Sequence, residues 1–593
     1  MRRWFWTLSA CLLLVSPLRA QQVPFLDLDF EMPECLGGWQ VSTGSRFDIG
    51  LDMAETVSGA QSARLRYVSP LPWSVQVAGV GMQRQLSPAV VAGKRVQLSG
   101  YIRTEAVDER GYASIYLAAF TPSSFVYDDT YYVGARGTTP WTRYEIAIDV
   151  PADATRFLFG VQVFGNGTSW FDNLQMTVDG QALDQSRMPR MSPPPPGHAN
   201  WLSQRVLPFT TPLAGSGFAD LQGLKPVIGD ARIVSLGEAT HGTREFFQMK
   251  HRLLEFLAEE MGFTHFAIEA SMPDAYKIND YVLTGQGDPA ELVAGMLFWT
   301  WNTQEVLDMV LWMRQYNAAN ASNRAPLQFT GFDMQDPTTA VANLRAFLSQ
   351  ADPGYLPQAQ PIFVRMQQLE ATRRPTAADL AAIRGVLDHL TAARGGYLAA
   401  GLPAERVDWM IQNARILVQF VESPLGIASR DQSMAANVDW ILDHAPAGSK
   451  IVLWAHNGHV NKNAGYMGDY LAQRHGDDMY VLGFAFGGGR YNAVGPQGLR
   501  DHEAGVLAPD GVEALLAATG IPRFIVDLRS LGADNGVGGG QGDPSRWFHE
   551  QRFLRMHGAA ASRCALRPVV AADYYDGLIW FEQTSPSVLL PVD

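Results

Sequence analysis

The sequence predicts an all-β sandwich followed by an α/β domain: a three-layer α/β/α arrangement with a mainly parallel sheet and a helical insertion. Three features carry that expectation. The stretch "SRMPRMSPPPPGHAN" at 186–200 interrupts the chain with a stiff, extended spacer. Before it, short runs alternate apolar and polar residues with period two, as half-buried antiparallel strands do. After it, continuous apolar runs alternate with long helical segments, the pattern of parallel strands covered on both faces. A chain of 593 residues is too long for one core, and 47% hydrophobic with 18% charged residues is the composition of folded soluble protein.

Residues 1–20 read as an export signal. Arg2 and Arg3 precede the apolar stretch Trp4 to Val15, and small residues lead to a cleavage point after Ala20, although Leu18 fits the minus-three position less well than alanine. Too few apolar residues precede Cys11 for the "LSAC" stretch to be a lipoprotein site. The apolar stretch falls short of the roughly 20 residues a membrane anchor needs, so the mature chain is expected in the periplasm or outside the cell, with no stable transmembrane anchor. Removal of the signal leaves Cys35 and Cys564, whose pairing stays open and which cannot form a disulfide framework.

Within 21–185 the strand candidates are "SARLRYV", "KRVQLSGYIRTE", "GYASIYLAAF", "TRYEIAIDVP", "RFLFGVQVFG" and "SWFDNLQMTV", separated by Gly, Pro, Asp and Ser turns. Their order, with "GGWQ" near the start and "SWFDNLQM" in the last strand, resembles the jelly-roll modules of carbohydrate-binding and galactose-binding-like domains. The resemblance implies a glycan ligand, for which Trp39, Trp73 and Trp141 are stacking candidates in competition with core packing.

Residues 201–593 form the second unit. Its strand candidates are "ARIVSLG", "THFAIE", "LQFTGFD", "KIVLWAH", "YVLGFAF", "RFIVDL" and "GLIWFE". The interval from about 336 to 446 has no strand pattern and reads as a helical insertion that roofs the site. In open α/β sheets ligands sit beyond the carboxyl ends of the strands. Glu238 and His241 follow the first strand, Glu269 ends the second, Asp333 ends the third, and His456 and His459 follow the fourth. Capping or core roles explain any one of these; their joint placement at one sheet edge points to an active site.

Composition narrows the chemistry. Acidic residues outnumber basic ones by 59 to 46, giving a net charge of −13 with no Lys/Arg tract, which excludes a nucleic-acid partner. The second unit has no G-x-S-x-G elbow and no phosphate loop, and the "GGG" at 487–489 does not continue into a dinucleotide fingerprint. What remains is water activated by imidazole and carboxylate, or by a metal.

The motifs "GEATHGTREFFQMKHRLLEFLAEEMGFTHFAIEA", "INDYVLTGQGD", "WTWNTQEVLDMVLWMRQYN", "FTGFDMQ", "SRDQSMAANVDWIL" and "WAHNGHV" resemble the erythromycin esterase family, in order, from about Val234 to "DGLIWFEQTSPS" near the C-terminus. The resemblance implies hydrolysis of a carboxylic ester or macrolactone, macrolides among them, without a covalent enzyme intermediate or cofactor. Carried over, the histidine that deprotonates water is His241, with Glu238 beside it and Glu269 as the second carboxylate. Glu245 matches a further acidic position, His456 and His459 the paired histidines, and Lys250 a basic position that is Arg in some members, where its hydrogen-bond geometry would differ. Glu238 or Glu269 is then expected to orient the imidazole, and His456, His459 or Lys250 to face the oxyanion. Asp333, Trp299 and Trp301 are candidates for substrate binding, the tryptophans with Met296 as an apolar wall for which helix packing is the competing role. Two other readings stand beside this one: a metal-dependent hydrolase using His456, His459 and the acidic cluster, and a non-catalytic glycan-associated protein in which the sandwich does the binding.

Overall fold

The computed structural model describes residues 26–32, 39–41, 47–68, 80–122, 124–183, 193–495, 498–505, 507–531, 543–561 and 565–591. Residues 1–20, expected to be an export signal, and Cys35, Cys564 and Trp73 lie outside them. No helix among the described residues is long and apolar enough to cross a membrane.

The N-terminal unit is a sandwich of two antiparallel sheets. One runs in the order Gln40–Val41, Val80–Leu86, Arg156–Phe164, Tyr112–Phe120, Phe125–Asp129; the other, Phe47–Asp52, Ser62–Tyr67, Thr168–Val178, Arg95–Val107, Gly137–Asp149. Alternate residues of facing strands, such as Ile115, Leu117, Phe157, Phe159, Val96, Leu98 and Met176, fill the core between them. Each expected strand is present. The strand Val80–Leu86 escaped the pattern because Arg84 takes an inward position between Met82 and Leu86; it is nonetheless buried, its guanidinium donating to the Leu26 carbonyl at 2.9 Å. Trp39 is a core residue, stacked on Phe30 at 5.1 Å and only 1% exposed, so its ring is closed to a sugar. Trp141 is half-buried in Gly137–Asp149.

In the C-terminal unit, parallel strands lie in the order Gly577–Thr584, Met479–Gly495, Ile233–Leu236, Ile451–Trp454, His265–Ser271, Gln328–Asp333. Arg523–Asp527 pairs antiparallel with Gly577–Thr584, and the short Val206–Pro208 closes that edge. The sheet separates two cores. Val234 and Leu236 face one, with Phe246, Leu253 and Leu257 of the helix Arg244–Met261; Ile451 and Leu453 face the other, with Met467 and Leu471 of Met467–His475. From Ile233–Leu236 the chain crosses toward His265–Ser271, whereas from its neighbour Ile451–Trp454 it crosses the other way, toward Met479–Gly495. Such divergence opens a crevice at the strands' carboxyl ends.

Five helices fill Thr338–His444, packed on the second core. A buried amide network ties them to the sheet: Asn437 donates to the Phe332 carbonyl at 2.9 Å and accepts from Gln412 and Gln419. The last of these helices, Arg430–His444, starts at the crevice. The two units also touch, since Met32 packs with Ala508, Phe553 and Leu566, and Leu566 reaches the sandwich core as well.

Candidate active site

The turn that follows Ile233–Leu236 is held at close quarters. A side chain on Gly237 would collide with Asn457 Oδ1, and one on Gly242 with the Asn492 carbonyl. The Glu238 carbonyl accepts from Asn457 N–H at 2.8 Å and the Ala239 carbonyl from His557 N–H at 2.6 Å. The Gly242 carbonyl accepts from both Asn492 and Ser587 N–H, each at 3.0 Å. The positions of Glu238 and His241 are thereby set by backbone from several distant segments before any side-chain contact is counted.

Glu238 is fully buried. One carboxylate oxygen lies 2.6 Å from His241 Nδ1; the other accepts from Lys250 Nζ at 2.6 Å and from Trp454 Nε1 at 2.8 Å. Burial pushes this carboxyl up, but Lys250 and His241 outweigh it and hold the group below its ordinary value. His241 keeps 12% of its side chain exposed, and no hydrogen bond to a described residue engages Nε2. Its ring stands edge-on to Trp301 at 5.9 Å and lies 4.9 Å from that of His456. Lys250 is enclosed, 4.4 Å from the centre of the Trp454 ring, and its ammonium hydrogen-bonds to the site at Glu238. Burial pulls the Lys250 ammonium down to about 8 against the upward pull of Glu238.

Glu269 lies in an irregular step between Ile268 and Ser271, which aims its carboxylate at the crevice. One oxygen accepts from Arg430 Nη2 at 2.7 Å and the other from His456 N–H at 2.8 Å. Despite burial, the adjacent His459, the Arg430 guanidinium, the nearby His241 and that backbone donor hold it well below the usual carboxylate range. Asp333, wholly buried, takes Arg430 as a fork, with Nε at 3.0 Å and Nη2 at 2.7 Å. Asp333 therefore grips Arg430, and Arg430 spans the two acids.

The paired histidines differ. His456 Nε2–H donates to the His557 carbonyl at 2.7 Å, while Nδ1 accepts from Gly458 N–H at 3.0 Å. Both ring nitrogens are engaged, and burial with the nearby His241 pulls the imidazole down to about 3. His459 sits between Asp431, 2.7 Å from Nδ1, and Arg430, whose Nη1 lies 3.0 Å from Nε2. Arginine can only donate, so Nε2 accepts and Nδ1–H points to Asp431. Burial opposes its charge, yet Glu269 and Asp431 raise its proton affinity. A proton on Nε2 would exchange the Arg430 contact for Glu269, 3.3 Å away.

The remaining candidates lie around this centre. Trp301 is buried and donates to the Glu269 carbonyl at 3.1 Å; Trp299 is half-buried and Met296 fully buried. Glu245 does not join the histidines: its carboxylate accepts from Ser585 N–H at 2.7 Å and Oγ at 2.5 Å, anchoring the C-terminal segment that crosses the turn.

The family model for erythromycin esterase matches residues 258–584, more than half of the chain. The chain belongs to the erythromycin esterase family. Glu238, His241 and Lys250 precede the matched residues, while Glu269, His456 and His459 lie within them. A putative hydrolase, YbfO, of Bacillus subtilis is 26% identical, over 66% of this chain and 92% of its own. An erythromycin esterase type II of Escherichia coli is 24% identical, over 56% of this chain and 89% of its own. A Bacillus cereus protein of solved structure is 26% identical with a TM-score of 0.59, covering 66% of this chain and 98% of that one. Over the sandwich, a family 22 carbohydrate-binding module of Clostridium thermocellum is similar at 18% identity and a TM-score of 0.20, covering 26% of this chain and 91% of the module. Family membership and the hydrolase relative support hydrolase chemistry.

Sequence reasoning passed over Arg430 and Asp431 as site residues, although the erythromycin esterase motif "SRDQSMAANVDWIL" contains them. Their signal is the helix start: Ser429 caps it by accepting from Gln432 N–H at 3.0 Å, which places Arg430 at the first helical position. His557 carries no local signal, since it acts on His456 through its backbone carbonyl.

Proposed function

We propose that the C-terminal unit hydrolyses a carboxylic ester or lactone by direct attack of water, with His241 as general base. The observation that carries this reading is the asymmetry of the His241 ring, whose Nδ1 is held by the buried Glu238 carboxylate while Nε2 opens to the crevice. Nε2 takes a proton from water as the oxygen attacks the carbonyl carbon. Glu238 steadies the imidazolium, which then returns the proton to the leaving alkoxide. Lys250, His456 and His459 have their polar atoms committed to protein partners. That leaves them as supports of the dyad in this reading. A panel of acyl esters and lactones tests the reading, with hydrolysis by the wild type and its loss in His241→Ala expected; undiminished hydrolysis in the folded variant contradicts it. With export by residues 1–20, the reaction takes place outside the cytoplasm.

A chain beginning at residue 193 is expected to keep turnover of a small soluble ester, because every group named above follows the linker. Exposure of Ala508, Phe553 and Leu566 should lower its solubility. A truncated protein that is natively folded and inactive toward small esters would contradict this division.

The sandwich supports a second role, glycan binding, for a specific reason. Phe125, Tyr127 and Tyr132 stand exposed, Tyr132 at 92%. Tyr127 stacks on Tyr116 at 6.0 Å, beside the Gln162 amide, which donates to Tyr127 Oη at 2.9 Å and to Asp129 at 3.1 Å. Flat rings next to planar hydrogen-bonding groups suit the alternating apolar and hydroxyl faces of a sugar chain. Tyr127→Ala with Tyr132→Ala is expected to weaken retention on a soluble polysaccharide in affinity electrophoresis while small-ester turnover holds. Unchanged retention, or none by the wild type across plant and bacterial polysaccharides, would contradict it.

A further inference from the structure

We propose that Lys250 balances the charge of Glu238, so that the carboxylate holds the His241 ring without locking a proton onto it. The inference rests on His241 being the base, and it concerns what keeps that base free. Glu238 is fully buried, and His241 and Lys250 occupy its two oxygens at 2.6 Å each. A buried carboxylate facing only an imidazole draws a proton onto it, because the resulting ion pair removes an isolated buried charge. A dyad locked as carboxylate and imidazolium has no lone pair for water. With the ammonium on the second oxygen, carboxylate and cation already cancel. A proton on His241 then gains less from Glu238 than it would beside an unbalanced carboxylate, so the imidazolium is steadied when it forms without being locked in.

The surroundings leave this task to Lys250. The ammonium is enclosed between the Trp454 ring, 4.4 Å away, and the Phe484 ring at 5.5 Å. It is fully buried and its ammonium hydrogen-bonds to Glu238, so it acts on the reaction from behind that carboxylate. The other charged groups near His241 are committed. Glu269 is tied to Arg430 at 2.7 Å, and His459 to Asp431 and Arg430. His456, whose ring is 4.9 Å from that of His241, has both nitrogens occupied. Lys250 is thus a positioning and charge-balancing residue, distinct from a donor to the oxyanion.

The test is a double-mutant cycle read in two ways: by NMR titration of the His241 imidazole and by the acid limb of kcat/KM. Lys250→Met is expected to raise both by about 1–3 pH units, since the carboxylate is left unbalanced. Lys250→Arg, which keeps the charge, should restore both toward the wild type. Glu238→Gln should lower the imidazole titration, and the Lys250→Met, Glu238→Gln double variant should fall between the two singles. An unchanged or lowered titration in folded Lys250→Met, or a double variant outside the interval, overturns the proposal. The NMR arm needs no turnover. If His241→Ala retained hydrolysis, the reading of His241 as base would fail while the charge balance was still decided by the titration.

Discussion

Replacing His241 with alanine is expected to lower kcat by about 100-fold or more, because the ring nitrogen left free to face the crevice disappears with it. KM should change far less, since proton transfer matters in the transition state and contributes little to ground-state binding. Glu238→Gln is expected to reduce kcat in the same direction by weakening the hold on Nδ1–H and the stabilisation of the imidazolium. Direct activation of water by imidazole also expects a chelator to leave wild-type turnover unchanged. Abolition by the chelator and rescue by added Zn²⁺ or Mn²⁺ would favour the metal-dependent reading instead. Steady-state kinetics on one soluble ester, with circular dichroism to verify folding, distinguishes these results.

The second large effect concerns Arg430, which joins the helical insertion to the sheet. Its guanidinium bridges Glu269, 5% exposed, and Asp333, 0% exposed. Arg430→Met leaves two buried carboxylates without their cation, and loss of one partner from such a cluster costs about 3–5 kcal/mol. Urea unfolding should show that cost as a lowered midpoint. A loss under about 1 kcal/mol would mean that the bridge behaves like a surface pair. Glu269, whose folded carboxyl is held well below the usual range, adds a pH dependence of definite sign. Its contribution is present above the unfolded carboxyl value of about 4.3 and is lost as pH falls toward the folded value. The destabilisation caused by Arg430→Met should therefore shrink in acid.

Much of this architecture was legible in the sequence because strand ends are marked locally. "THFAIE", "LQFTGFD" and "KIVLWAH" are apolar runs that end in an acid or a histidine, "ARIVSLG" is followed at once by Glu238, and a parallel sheet brings such ends to one edge. Phe47–Asp52, Phe125–Asp129, Gln551–Arg555 and Leu566–Val570 are among the strands that were missed, and two others show why: Val80–Leu86 hides an arginine in its core, and Val206–Pro208 is too short for a period to show. Side-chain direction was not legible. Glu245 lies four residues after His241, in the first turn of the helix Arg244–Met261, yet its carboxylate binds Ser585, 340 positions away in sequence. Arg430 meets Asp333 and Glu269 from 97 and 161 positions away. Such pairings depend on how the insertion helices settle on the sheet, which no local spacing records. The histidine pair gives the same lesson. Its H-x-x-H spacing invites a symmetric role, but His456 is closed by two backbone contacts while His459 sits in a network of charged side chains.

The central claim, that water attacks the ester directly, is tested most directly by a single turnover in H₂¹⁸O with enzyme in excess over a small acyl ester, followed by mass analysis of both product and protein. Direct attack places one ¹⁸O in the released acid and leaves the intact mass of the protein unchanged throughout. A transient acyl adduct on the protein, or ¹⁸O found in Glu238 or Glu269 with an unlabelled acid product, would show a covalent intermediate and contradict it.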